Sequence, residues 1–195
     1  MKKNTILIGF VILVLGLGAG YALRGNFGGA YGSHMMQDGS QMKQNIDQHF
    51  IVQMIPHHEG AIAMAKIALN RSKRPEIISL SKGIIEAQER EIVDMKAWHK
   101  EWFNSEVSDT DGNGMGGMHM DSMSGDVSVL NTVSDAEFDR EFISQMIPHH
   151  EMAVTMAQML QSGTSHAEMK QLADNIITSQ SSEIKMMRSW LDAWY

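Results

Sequence analysis

A chain of 195 residues that is 43% hydrophobic but only 7% aromatic supports one domain with an aliphatic and methionine-rich core. Lys and Arg number 16 against 23 Asp and Glu, a formal charge of −7, which excludes the basic face that sequence-independent nucleic-acid binding requires. Cysteine is absent, which removes disulfides and thiolate sites, while 18 methionines leave thioether and imidazole as the soft-metal ligands on offer.

In chain order, Lys2 and Lys3 precede an apolar or small run at residues 6–23, with Gly20-Tyr21-Ala22 as a small-x-small cleavage site. Residues 1–25 are expected to be a signal peptide or, being just long enough to span a bilayer, an N-terminal membrane anchor. Either places the rest of the chain in the periplasm or outside the cell. Residues 26–45 read as a flexible segment holding a first cluster, His34, Met35 and Met36.

Residues 46–195 read as a bundle built from a duplication. The heptapeptide "QMIPHHE" occurs at 53–59 and again at 145–151, and Pro56 maps to Pro148 at an offset of 148 − 56 = 92. That offset holds without a gap from 47–103 to 139–195, with about 23 of 57 positions identical, so one structural unit is written twice. Repeat 1 covers 46–104, a linker 105–134, and repeat 2 135–195. In repeat 1 a helix is expected from a cap at Asp47 to about residue 70, and a second from Pro75, favourable at the first helical position. The few residues between them impose an antiparallel hairpin. Repeat 2 copies the pattern, with Gly163 closing its first helix. Two hairpins burying one stripe each give an all-α, ferritin-like four-helix bundle. The glycine-rich linker is expected to be flexible, and its length allows either an up-down-up-down or a long-crossover connection.

On a helical wheel Phe50, Met54, His57, His58, Ala61, Met64 and Ala65 fall within roughly 120°, while Glu59 faces away. Pro56 removes an N–H and leaves the Val52 carbonyl without its helical partner. Two imidazoles and two thioethers thus face inward, and Met146, His149, His150 and Met156 repeat them. The simpler alternative is a bent core helix whose histidines are merely hydrogen-bonded. On the second helix Gln88, Glu91, Ile92, Met95 and Trp102 share a stripe. Gln88 and Glu91, with Gln180 and Glu183, either orient the imidazoles from behind or, for the carboxylates, pair with Arg or Lys. Trp98, Trp102, Trp190 and Trp194 are expected to pack the bundle ends. In the linker, Met115, Met118, His119, Met120 and Met123 stand in a segment too polar to be core, a ligand set suited to a soft, low-coordinate cation such as Cu(I) or Ag(I).

"FIVQMIPHHEGAIAMA" and "FISQMIPHHEMAVTMA", with the later Gln-x-x-Glu-Ile and Met-x-x-Trp positions, resemble a bacterial domain-of-unknown-function family with a ferritin-like helical fold. The exported, methionine-rich, double-copy arrangement is most similar to the family's cyanobacterial copper-binding members. The resemblance implies a four-helix bundle outside the cytoplasm that binds copper and contributes to copper resistance. Met54, His57, His58, Met64, Met146, His149, His150 and Met156 are then its expected core ligands. The expected function is sequestration or buffering of copper, Cu(I) preferred and Cu(II) left open, without enzymatic activity. A copper-sensing or copper-transporting membrane protein is the expected partner. The alternatives are a ferritin-like di-metal oxidase, which wants Glu-x-x-His motifs the second helices lack, and a metal- or pH-sensing partner of a membrane protein.

Overall fold

The computed structural model describes residues 37–107 and 126–195, with side chains from residue 46 onward. The leader at 1–25 and the clusters His34, Met35, Met36 and Met115, Met118, His119, Met120, Met123 lie outside the described residues. Among those described, five helices follow in order: α1 Gln37–Arg71, α2 Pro75–Phe103, α3 Val127–Thr132, α4 Phe138–Gly163 and α5 Ala167–Trp194. Pro75 opens α2 behind an extended Arg74, and Asn104, left-handed at φ 53 and ψ 33, closes it by bonding the Lys100 carbonyl.

Two expectations change. First, α1 begins at Gln37 rather than at Asp47, so residues 37–45 of the segment read as flexible are helical. Asp47 does not cap its own helix. It is fully buried, and its Oδ2 lies 2.6 Å from Nδ1 of His166 at the head of α5. A carboxylate with a cationic or N–H partner on a neighbouring helix has no need of its own backbone amides. Second, the linker read as featureless contains α3. Asp126 caps it by accepting from the N–H groups of Ser128 at 3.0 Å and Val129 at 3.1 Å. Leu130 is fully buried beneath it, worth about 1.5–3 kcal/mol.

Contacts at the helix ends determine the topology. Gly163, closing α4, meets Ile46 near the head of α1; a Cβ at Gly163 would sit 2.4 Å from Ile46 Cδ1. At this same end His166 stacks on Trp102, at the foot of α2, with centroids 4.0 Å apart and planes 6° from parallel. At the other end the Arg71 guanidinium lies 4.8 Å from the Phe138 ring and that of Arg74 4.0 Å from the Trp194 ring. Thus α1 and α5 run one way and α2 and α4 the other. α2 finishes at the end opposite to the start of α4, which makes this the long-crossover form of the bundle. α1 packs on α2, α4 on α5, and the hairpins meet through α1 and α4.

The core is divided accordingly. One apolar compartment joins Phe50, Ile51, Met54, Ile92 and Met95 of repeat 1 to Ala153, Ala157, Leu160, Met169 and Ile176 of repeat 2. The other joins their counterparts, Phe142, Ile143, Met146 and Met187 with Ala61, Ala65, Ala68, Ile77 and Ile84. The histidine doublets lie in the middle of α1 and α4, in register between the two compartments.

Besides buried Leu130 and the Gln145 side chain, which accepts from the Asp126 N–H at 2.8 Å, one guanidinium holds α3. Arg71 donates at 2.6 Å to the carbonyls of Leu130 and Val133 and to Asp135. Replacing Arg71 with Ala is expected to cost about 1–3 kcal/mol and to let the amides of residues 127–132 exchange with solvent as an open segment, with those of α4 and α5 still protected. Unchanged protection of α3 would show that Leu130 and Gln145 suffice to hold it.

Candidate metal centre

Adjacent residues on a helix point about 100° apart, so a histidine doublet serves two neighbours at once. His57 and His149 face across the interface between repeats. Their rings touch at a tilt, with centroids 3.7 Å apart and planes inclined at 40°. His58 and His150 turn to their own hairpins, where Nε2 of each lies 2.7 Å from a carboxylate oxygen, of Glu91 and Glu183 respectively. Imidazole, rather than Arg or Lys, is what faces these two carboxylates. All four histidines are buried.

The hydrogen-bond inventory is incomplete in a particular way. Among the described residues, both ring nitrogens of His57 and His149, and Nδ1 of His58 and His150, are buried without a partner. An ionised carboxylate only accepts, so Nε2 of His58 and His150 carries a proton, and in the neutral ring Nδ1 keeps the lone pair. Each unpaired buried polar atom costs about 1–3 kcal/mol, and such atoms in a native core call for a guest. Burial first, then the neighbouring imidazoles, push the pKa of His57 down to about 3 and that of His149 to about 2. All lone pairs of this tilted pair are therefore free of protons at neutral pH.

Gln88 and Gln180 are buried with Oε1 unpartnered, at the level between Ile84 and Ile92 and their counterparts. Met54, Met64 and Met146 are fully buried, while Met156 is only partly so. The structure regroups them: Met54 shares a compartment with Met156, and Met64 with Met146. Ten residues of helix span about 15 Å, so the thioethers grouped with each doublet on the wheel lie on opposite sides of the histidine layer. What could not be read from one repeat is which partner each imidazole takes, because that depends on how α4 crosses α1. The inward position of Glu91 was the only visible signal.

The surrounding carboxylates are committed elsewhere. Glu59 and Glu151 are exposed and pair with Lys96 at 3.8 Å and with Arg188. The donors left in the core are imidazole nitrogens and thioethers, which suit a soft cation of low coordination number better than a hard divalent one. The tryptophans stack in pairs at the two ends, Trp98 on Trp102 and Trp190 on Trp194.

A family model described as a domain of unknown function, DUF305, matches residues 47–191. Among solved structures, CopM in its Cu(II)-bound form is 48% identical with a TM-score of 0.69, covering 76% of this chain and 97% of that one. CopM is also solved in Cu(I)-bound, Ag-bound and apo forms. A DUF305 fragment from Deinococcus radiodurans is 26% identical over 76% of this chain and 96% of that one, with a TM-score of 0.66. An uncharacterized protein, L153, of Acanthamoeba polyphaga mimivirus is 46% identical over 54 residues, which spans 28% of this chain and 36% of that protein.

With folded-state pKa values of about 3 and 2 for His57 and His149, below the unfolded value of about 6.5, the unfolded chain binds more protons between them. Stability of the metal-free protein should therefore fall as pH drops below about 6.5, less steeply below about 3 and levelling off near pH 2. Urea midpoints measured from pH 7 to pH 4 should slope downward, and His57→Gln with His149→Gln should flatten that slope. An equal slope in both proteins would assign acid sensitivity to other groups.

Proposed function

The chain belongs to the DUF305 family, and from that premise we propose that it is a copper-binding protein which sequesters or buffers the ion outside the cytoplasm. The carrying observation is the set of unpartnered imidazole nitrogens on His57, His58, His149 and His150 at the meeting of the two repeats. The imidazoles of His57 and His149 are neutral there and need no deprotonation, and the compartments above and below hold the thioethers of Met54, Met156, Met64 and Met146. This donor set favours Cu(I), with Ag(I) as its mimic and Cu(II) reached through imidazole alone. The 46–48% identity to CopM, solved with Cu(II), Cu(I) and Ag, supports copper as the ion. Glu91 and Glu183 orient the outer imidazoles and raise the basicity of their Nδ1 atoms. The leader at residues 1–25 supports a periplasmic or extracellular place of action.

Binding without turnover is the reading the carboxylates favour. An oxidase of the ferritin type needs inward glutamates on four helices; Glu59 and Glu151 face solvent, and Glu91 and Glu183 are taken by imidazoles. We assign copper resistance as the physiological consequence, with a copper-sensing or copper-transporting membrane protein as the exchange partner. The clusters at His34, Met35, Met36 and at Met115, Met118, His119, Met120, Met123 are assigned as additional weaker thioether sites.

Competition against a Cu(I) indicator tests the centre. Replacing Met54, His57 and His58 together with Met146, His149 and His150 should abolish the tightest binding while the far-ultraviolet circular dichroism stays helical. Removing only Glu91 and Glu183 should weaken it by about 10–100-fold. Unaltered affinity in the six-residue variant would make the doublets structural, and stoichiometric iron with oxygen consumption would restore the oxidase.

A further inference from the structure

One more buried imidazole lies outside the doublets. His99 on α2 is 1% exposed, and Met95, four residues earlier on the same helical face, is fully buried. His99 Nδ1 lies 2.9 Å from the Ser105 carbonyl oxygen. A carbonyl accepts and never donates, so Nδ1 carries the proton and Nε2 keeps its lone pair. The helix terminus makes this contact possible: left-handed Asn104 turns the chain so that the Ser105 carbonyl comes back to the ring. Nε2 itself is buried without a partner among the described residues.

The duplication supplies an internal control. The counterpart of His99 is Leu191, which packs against the opposite compartment, so packing at this position does not require an imidazole. Two further counterparts differ in the same sense. His166 and Met169 stand where the other end has Arg74 and Ile77. Each of these three differences puts a soft-metal ligand type at the His99 end, whereas Met186 opposite Asp94 runs the other way and adds a thioether but no imidazole to the far end. The compartment at the His99 end contains Met54, Met95 and Met169, with Met156 packed against it. With no convergence of three His, Asp or Glu among the described residues, a hard divalent cation finds no cage there. One imidazole nitrogen without a partner, a helical turn from the Met95 thioether and with the Phe103 ring 5.1 Å away on its own helix, is instead a donor set for a monovalent d10 cation.

We propose that His99 Nε2, together with the Met95 thioether and the methionine-lined compartment it adjoins, forms a second soft-metal site for Cu(I) or Ag(I), distinct from the histidine doublets and present at one end of the bundle only. The proposal takes the kind of ion from the function argued above, but its residues are independent of the doublets. The Nδ1–H bond to Ser105 holds the ring in the metal-accepting tautomer, the role that carbonyls play behind ligating histidines elsewhere.

The full chain titrated with Ag(I) provides the test. The nitrogen resonance of His99 Nε2 should shift while its Nδ1–H remains hydrogen-bonded, and His99→Leu, which copies position 191, should bind one ion fewer with its helical content intact. In His57→Gln with His149→Gln the His99 shift should persist, so that loss of the doublet centre and loss of this site are read separately. An unmoved Nε2 resonance at saturating Ag(I), or an undiminished ion count in His99→Leu, overturns the proposal.

Discussion

Two neutral imidazoles in tilted contact at the crossing of α1 and α4 are the contact on which the rest of this molecule turns. His57 and His149 come from different repeats, and their rings lie 3.7 Å apart, so each half of the duplication is completed by the other. An apolar pair of this size would hold α1 against α4 with no loss of hydrogen bonding. The imidazoles leave four ring nitrogens of the pair unpartnered among the described residues and are held neutral by burial. A core that keeps such groups at its centre has given up stability at a level that both repeats reach.

The glutamates complete the logic. A doublet that pointed both rings across the interface would leave no control over tautomer. Because His58 and His150 turn back to Glu91 and Glu183 at 2.7 Å, their Nε2 atoms are protonated and their Nδ1 atoms bare. The same division recurs at His99, where a carbonyl takes the place of the carboxylate. In each case a fixed acceptor behind the ring decides which nitrogen is free, and in each case the free nitrogen is buried.

Duplication produced near symmetry, and the departures from it carry information. The buried Asp47 pairs with His166, whereas its counterpart Asp139 lies 3.3 Å from Arg74; both partners sit on the tryptophan that closes their end. Arg71 reaches out to hold α3, and its counterpart Gly163 has no side chain and admits Ile46 instead. One end is therefore locked by two arginines and covered by α3, while the other is built from histidines; each compartment holds four methionines. A pair of identical ends would have served packing equally well, so the difference between them is better explained by chemistry than by stability.

Read by itself, the sequence determined a great deal. The gapless offset and the 3.6-residue periodicity required two like hairpins, and the family membership and helical bundle they implied are what the comparisons and the structure show. The inward stripe of Phe50, Met54, His57, His58, Ala61, Met64 and Ala65 was legible because it depends only on the rotation per residue within one helix. What lay beyond it was the geometry between helices. That His57 meets His149 and not His58, that Met54 shares a compartment with Met156 and not Met64, that Asp47 serves α5 and not its own terminus, and that α2 must be linked to α4 by a crossover were all decided by tertiary structure. The physical reason is that a helical wheel gives the direction of a side chain but not the neighbour standing there, and the neighbour is set by how two copies of one surface pack against each other.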